Sequence, residues 1–398
     1  RHVYAATNLG RDKAVLVRMD PATCEELELL YENEDYDISS ISYSRKRKKL
    51  LAVYCQGHRN PIRHYFDEDE AQFRELLRSF FDGKRFGIVD TDKNEEKYLI
   101  YVGGDRTRGM YYYYEKSAER PILLAEIAPW LKEDDLVEMH DVCYTSRDGL
   151  KIEAYLSLPL PYNLETAKNL PVIIHPHGGP WARDTWGYSS EVQFFCNRGY
   201  AVFQMNFRGS TGYGRKFLEA SYKQWGQAMQ DDITDGVNWL IAQGIADAKR
   251  VAIYGGSYGG YATLAGLCFT PDLYACGIDY VGVSNLLTFM QTIPPYWRPL
   301  LEMMYEQVGD PEKDLEMLRA YSPALQAHLI KAPLFIAQGA NDPRVNKAES
   351  DQMVEALRAQ GVEVEYMVKD DEGHGFHNQE NRFDFYRAME RFLKEQMG

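Results

Sequence analysis

The sequence predicts an α/β fold built on a doubly wound, mostly parallel sheet, preceded by an incomplete β-propeller-like all-β domain. Three observations lead to it. Residues up to about 130 read as short strands of aromatic and β-branched residues broken by Gly, Asp and Asn turns. After about Asp134, near-continuous apolar strands alternate with helix-period segments, a pattern that specifies a sheet covered on both faces. Third, Gly255-Gly256-Ser257-Tyr258-Gly259 falls between one of those strands and a helix. The division expected is residues 1–133 for the partial propeller-like domain and 134–398 for the α/β domain.

Bulk properties fit this. A chain of 398 residues, 45% of them hydrophobic, can bury two cores. A net charge of −14 argues against nucleic-acid binding, which needs clustered excess Lys and Arg. The one basic run, Arg45 to Lys49, lies between two apolar stretches and reads as a solvated hairpin tip. Cys24, Cys55, Cys143, Cys196, Cys268 and Cys276 have neither C-x-x-C spacing nor the density of a disulfide framework, and read as small buried hydrophobes. No apolar run approaches the ~18 residues of a membrane span, and no signal peptide is visible. The chain starts at Arg1 rather than Met and reads as beginning inside a longer structure, so cytoplasm and export both stay open.

In order along the chain, strands are expected at His2 to Thr7, Ala14 to Met19, Glu26 to Tyr31, Ile38 to Tyr43, Leu50 to Cys55 and Arg63 to Phe66. A second set follows at Phe86 to Thr91, Lys97 to Gly103, Met110 to Glu115 and Ile122 to Glu126. A period of roughly 50 residues with three or four strands per unit suggests propeller blades. The acidic, helix-favouring stretch Asp67 to Phe80 reads as an insertion between them. Fewer than three blades can be counted, whereas a ring closes with about four to eight. The missing blades are therefore expected on a longer chain or elsewhere in an oligomer. Beyond Asp134, a hairpin turns at Arg147-Asp148-Gly149, and Pro159 to Pro171 is a loop. Strands follow at Val172 to His175, Ala201 to Asn206, Val251 to Tyr254, Ala275 to Val281, Pro333 to Gln338 and Val364 to Val368. Helices are expected at 231–243, 260–269, 347–360 and 382–396.

The strand–turn–helix setting of Gly255 to Gly259 is what a nucleophile elbow requires, with Ser257 as nucleophile. Flanking glycines permit the tight, strained turn, and the helix N-terminus favours a developing oxyanion. Serine needs a base. His374 fits, in Asp371-Glu372-Gly373-His374-Gly375-Phe376 after a late strand, with His377 its nearest rival. Asp342, in Asn341-Asp342-Pro343-Arg344 after the preceding strand, is the candidate acid, with Asp279 and Asp370 as alternatives. The order Ser, Asp, His is that of α/β-hydrolases. The oxyanion donors expected are the N–H groups of Tyr258 and of Gly179, the latter in His175-Pro176-His177-Gly178-Gly179-Pro180. His175 and His177 lack a third ligand in sequence, so no metal site is expected, nor any organic cofactor. The Gly-rich run Asn206 to Gly214 lacks a phosphate-loop ending and reads as a structural turn in which Arg208 pairs with Asp231 or Asp232. Val283, Phe289 and Trp297 are candidates for an apolar substrate pocket.

As a set, Gly-Gly-Ser-Tyr-Gly-Gly at 255–260, His-Gly-Gly-Pro at 177–180, Arg-Gly-Ser-Thr-Gly-Tyr-Gly at 208–214, Asn-Asp-Pro-Arg-Val at 341–345 and Gly-His-Gly-Phe at 373–376 resemble the prolyl oligopeptidase family, in its acylaminoacyl-peptidase-like branch. The resemblance covers about residues 135–398. It implies a serine peptidase acting on short peptides, with a propeller restricting access, and an arginine gripping a substrate carbonyl, a role given to Arg298. An open ring would put size exclusion in doubt. Two rivals remain: an esterase using the same triad, and a propeller-type interaction protein with a silent hydrolase domain.

Overall fold

Period-two alternation in the first third of the chain folds into antiparallel meanders. The computed structural model describes residues 2–362 and 364–398, and the chain divides into two units. The first runs to Asp141 and takes in Thr185–Arg198 and Gly212–Arg215; the second holds Val142–Asp184, Gly199–Thr211 and Lys216–Gly398.

In the first unit, β1 (Val3–Thr7), β2 (Val15–Met19) and β3 (Glu26–Tyr31) form one sheet, and β4 (Ile38–Ser44), β5 (Lys49–Cys55) and β6 (Ile62–Tyr65) a second. After α1 (Glu68–Ser79) come β7 (Arg85–Thr91), β8 (Lys97–Gly103), β9 (Met110–Glu115) and β10 (Ile122–Glu126), in the order β10-β9-β8-β7. That makes three meanders among the described residues, where the sequence suggested fewer than three, because β1–β3 pair among themselves. Tyr98, Ile100 and Val102 alternate along β8 and meet Leu77 of α1 and Phe81 beyond it in one apolar cluster. The hairpin tip after β4 is not merely solvated: Arg47 and Lys49 both pair with Asp67, at 2.9 and 2.8 Å. Asp67 in turn caps α1 by accepting from the Glu70 N–H.

The expected cut at 133/134 lies before the observed one because polar side chains tie later segments to this unit. Gln193, on α2 (Ser190–Asn197), bonds both the N–H and the carbonyl of Val137 at 2.9 Å. Asp37 donates its N–H to Gly212 at 2.9 Å and accepts the Gly214 N–H at 3.0 Å.

The second unit is built on an eight-stranded sheet of β11 (Met139–Thr145, which crosses the division), β12 (Lys151–Ser157), β13 (Leu170–Ile174), β14 (Ala201–Met205), β15 (Ala246–Gly256), β16 (Cys276–Tyr280), β17 (Leu334–Gly339) and β18 (Val364–Lys369). Its order is β11-β12-β14-β13-β15-β16-β17-β18; β14 to β18 run parallel and β12 antiparallel to β14. Helices α3 (Arg215–Glu219), α4 (Ala228–Ala242), α5 (Tyr258–Phe269), α6 (Leu286–Gln291), α7 (Leu301–Gln307), α8 (Leu315–Ala320) and α9 (Lys347–Arg358) connect the strands, and α10 (Gln379–Met397) follows β18. Val172, Ile173 and Ile174 on β13 and Val251, Ala252 and Ile253 on β15 are all buried, as a sheet covered on both faces requires. From β13 the chain passes outward to β14 on one side and later to β15 on the other. The strand order therefore reverses between β13 and β15, and the crevice at their carboxyl ends is where a doubly wound sheet binds its ligands. Helices α2, α3, α6, α7 and α8 were not foreseen, since elements of five to eight residues carry too few turns for a clear period.

Candidate active site

The crevice is lined by the two segments that leave β13 and β15. Ser257, between β15 and α5, has φ 59° and ψ −117°, a conformation that L-residues hold only when their surroundings force it. The force is visible in the neighbouring glycines. A Cβ on Gly255 would lie 2.6 Å from the Gly259 carbonyl, and one on Gly259 would lie 2.3 Å from the Pro176 oxygen. Ser257 donates its N–H to the Tyr280 carbonyl at 2.9 Å, and its hydroxyl makes no capping bond to α5. The backbone is thus anchored, and Ser257 lines the adjoining cavity.

The loop after β13 passes directly over this turn. A Cβ at Gly178 would be 3.0 Å from the Gly256 oxygen and 3.5 Å from the Ser257 Cβ. Gly179, at φ 129°, lines one cavity together with Ser257 and Tyr258. Tyr258 is the first residue of α5, so its N–H belongs to the four that a helix leaves without an internal partner. The His177 ring supports this loop from behind: buried and stacked on Phe207, it lies 2.9 Å from the Ser210 hydroxyl through Nε2. Burial pushes its pKa below the usual value, as suits a neutral structural imidazole. No group of three metal-ligating side chains occurs among the described residues. Arg208 pairs with Asp232 through two nitrogens, at 2.9 and 2.7 Å, and with Asp148 at 2.8 Å; Asp231, its other expected partner, is paired with Arg147 instead.

His374 sits at the tip of a turn closed by a bridge between Gly373 and Gly375. Its Nδ1 lies 2.7 Å from Asp342 Oδ2. With Nδ1–H donating to that carboxylate, Nε2 is left as the basic atom. Asp342 is buried; its other oxygen accepts the N–H groups of Arg344 and Val345 at 2.8 and 2.9 Å, and Oδ2 also receives the Gln338 amide at 3.4 Å, so the carboxylate is held in place against the imidazole. Of the alternative acids, Asp370 is exposed. Asp279 is buried toward α5, where Cβ atoms at Gly260 and Gly282 would come within 2.3 and 2.1 Å of its Oδ1. His377 is exposed and enters the lead-in to α10, its N–H donated to Glu372 at 2.8 Å. Burial disfavours the charge on Glu372, but the N–H groups of His377 and Asn378 and the Asn381 amide outweigh it and hold its pKa below the ordinary value. That carboxylate pins the turn carrying His374.

The cavity at Ser257 has a volume of about 280 Å³ and is mostly apolar. Val283, Phe289 and Trp297, singled out from sequence, line it, joined by Trp181, Trp225 and Met304. Arg298 does not: it is exposed on the 3-10 turn Pro295–Leu300. The arginine that lines the cavity is Arg344, two residues beyond Asp342. That spacing was the available signal, since the turn that aims Asp342 must also carry the next side chains past the crevice. A hydroxyl on a strained elbow, an imidazole oriented by a buried carboxylate, and two glycine-region N–H groups are the parts that acyl transfer needs.

Residues 186–398 match the prolyl oligopeptidase family. Residues 122–238 also match the acetyl xylan esterase family, a stretch that ends before Ser257. The chain is 45% identical over 403 residues to dipeptidyl aminopeptidase BIII of Pseudoxanthomonas mexicana, covering all of this chain and 58% of that protein. It is 29% identical over 219 residues to the acylamino-acid-releasing enzyme of Arabidopsis thaliana, covering 53% of this chain and 28% of that one. In architecture it resembles a puromycin-hydrolyzing peptidase of Mycobacterium tuberculosis, with TM-score 0.82 at 21% identity, over 100% of this chain and 61% of the other. The chain thus spans little more than half of the length of the relative it matches end to end.

Proposed function

The chain belongs to the prolyl oligopeptidase family, and from that premise we propose that it is a serine peptidase that hydrolyses short peptides through an acyl-enzyme. The observation that carries this is the pairing of His374 with buried Asp342 at 2.7 Å, in a fold that also holds Ser257 at φ 59° on the turn between β15 and α5. Ser257 Oγ attacks the peptide carbonyl as His374 Nε2 takes its proton. The N–H groups of Tyr258 and Gly179 receive the oxyanion. His374 then gives the proton to the leaving amine, and water repeats the sequence to release the acid. Asp342 keeps the imidazole in one tautomer and stabilises its charged form. No step calls on a metal or an organic cofactor.

The apolar cavity takes the side chain of the residue whose carbonyl is attacked, so that residue is apolar. Arg344, which lines the cavity, holds a substrate carbonyl, the role that the family resemblance suggested for Arg298. The match to a dipeptidyl aminopeptidase runs along the whole chain at 45% identity, against 29% over about half of it for the acylamino-acid-releasing enzyme. That difference favours release of dipeptides from a free N-terminus over removal of a blocked residue. The test compares a dipeptidyl anilide bearing a free amine, its N-acetylated counterpart and the matched ester, with Ser257→Ala as blank. Preferential cleavage of the free-amine anilide is expected. Preference for the acetylated one would replace the dipeptidyl mode by the acylaminoacyl mode, and turnover of the ester alone would make the protein an esterase.

A further inference from the structure

We infer that Tyr280 is a positioning residue that locks the turn carrying His374 to the elbow carrying Ser257; this rests on the peptidase reading above. Tyr280 ends β16, where it pairs with Gly256, the residue before the serine. Its carbonyl accepts the Ser257 N–H at 2.9 Å. Its hydroxyl accepts the N–H of Phe376, two residues beyond His374. A Cβ placed on Gly375 would sit 3.4 Å from that hydroxyl, and one on Gly256 would sit 3.4 Å from Tyr280 Cδ1. One residue therefore binds both catalytic loops, the serine elbow through its carbonyl and the histidine turn through its hydroxyl.

The surroundings fix this side chain. Its ring lies edge-on to Phe376, with centroids 5.2 Å apart, and stacks on Phe385 of α10 at 4.6 Å. The next residue, Val281, has φ 49°, which for a β-branched residue is a costly outlier. Thus the strand turns away abruptly just after Tyr280, and two positive-φ residues, Ser257 and Val281, flank the same contact. Strain held at both ends of one hydrogen-bonded bridge is what pre-organisation of a reacting pair demands.

Further anchors hold the His374 turn to its neighbours in the chain. Asn341 donates its N–H to the Glu372 carbonyl at 2.9 Å, and the Glu372 carboxylate holds the N–H groups of His377 and Asn378. These fix the turn relative to Asp342 and α10. The Tyr280 hydroxyl links it to the strand that also grips the serine. Without that link the imidazole keeps its carboxylate but loses its register with Oγ and with the leaving group.

The variant is Tyr280→Phe, which keeps the ring packing. Amide acylation needs His374 twice, to accept the serine proton and to protonate the amine. A p-nitrophenyl ester needs it once, because its leaving group departs as an anion. Tyr280→Phe is therefore expected to lower kcat on the anilide by about 10- to 100-fold, to lower ester turnover clearly less, and to leave KM for both substrates nearly unchanged. Thermal melting and circular dichroism identify a misfolded variant. Should it misfold, Tyr280→Trp, which keeps an aromatic ring on Phe385 but cannot place an oxygen at Phe376, is read by the same ratio. Unchanged turnover, or an equal loss on both substrates with a raised KM, would overturn the inference. His374→Ala run in parallel separates the two levels: if it keeps its activity, the peptidase reading itself fails; if it is inactive while Tyr280→Phe is normal, only the role of Tyr280 fails.

Discussion

Ser257 shows at the scale of one residue how stability is given up to present a hydroxyl. A glycine would hold φ 59° and ψ −117° without strain, whereas alanine keeps the Cβ and with it the cost. Ser257→Gly is therefore expected to melt above Ser257→Ala by about 1 kcal/mol, measured by urea denaturation, with both inactive. An equal or lower midpoint for the glycine variant would remove strain from the account of the elbow. Among the histidines, exposure and partner decide the role. His374 faces buried Asp342 at 2.7 Å, while His377 is exposed beyond the turn. His374→Ala is expected to lower kcat by about 10³-fold or more, and His377→Ala by less than about 3-fold. Similar losses at both would make His377 part of the machinery.

Behind the elbow, at the scale of strands and helices, β16 carries a buried carboxyl against α5. Asp279 points to the first turn of that helix, and neither of its oxygens has a well-formed hydrogen bond. Burial raises its pKa from 3.8 to about 7, with a further push from nearby Glu349 and a partial opposing pull from the Gly282 N–H. The folded chain thus keeps a proton that the unfolded chain releases above about pH 4. This group's contribution is fully present below that, falls as pH rises toward 7 and is flat beyond. Urea midpoints at pH 5 and pH 8 should then differ more in the parent than in Asp279→Asn, by about 2–4 kcal/mol of stability. If the two proteins have the same pH slope, Asp279 is ionised throughout. The same crowding predicts that Gly260→Ala is destabilising by at least about 2 kcal/mol, because its new Cβ would fall 2.3 Å from the Asp279 carboxylate.

Taken as a whole molecule, the chain does not divide where its composition changes. Thr185–Arg198 lies between strands of the second unit in sequence but packs in the first, where Gln193 satisfies both polar groups of Val137 and bonds the Asp105 carbonyl at 3.2 Å. A chain begun at Val142 would leave α2 without those partners. It is expected to melt roughly 5 °C or more below residues 1–398, and an unchanged melting temperature would mean that the second unit stands without them. The first unit's three meanders likewise owe their number to pairing: β1–β3 close on themselves, a choice that alternation alone leaves open because each strand offers two edges.

By itself the sequence determined the two kinds of sheet, most strand limits to within a residue or two, and the serine, aspartate and histidine of the candidate site. These are local: period, turn residues and short contiguous motifs record what the backbone needs at that point in the chain. The Gly-Gly-Ser-Tyr-Gly-Gly run is legible because glycine is the answer to contacts such as the 2.3 Å approach of Pro176 to Gly259, and those contacts recur wherever the turn does. What only the tertiary structure decided are the residues that act across the sheet. Arg344 rather than Arg298 lines the cavity, and Tyr280 bridges two loops separated by about a hundred residues. Their identity depends on which side of a strand faces which neighbour, and that is set by the order β13-β15-β16-β17-β18 and its register, fixed only when distant segments pack.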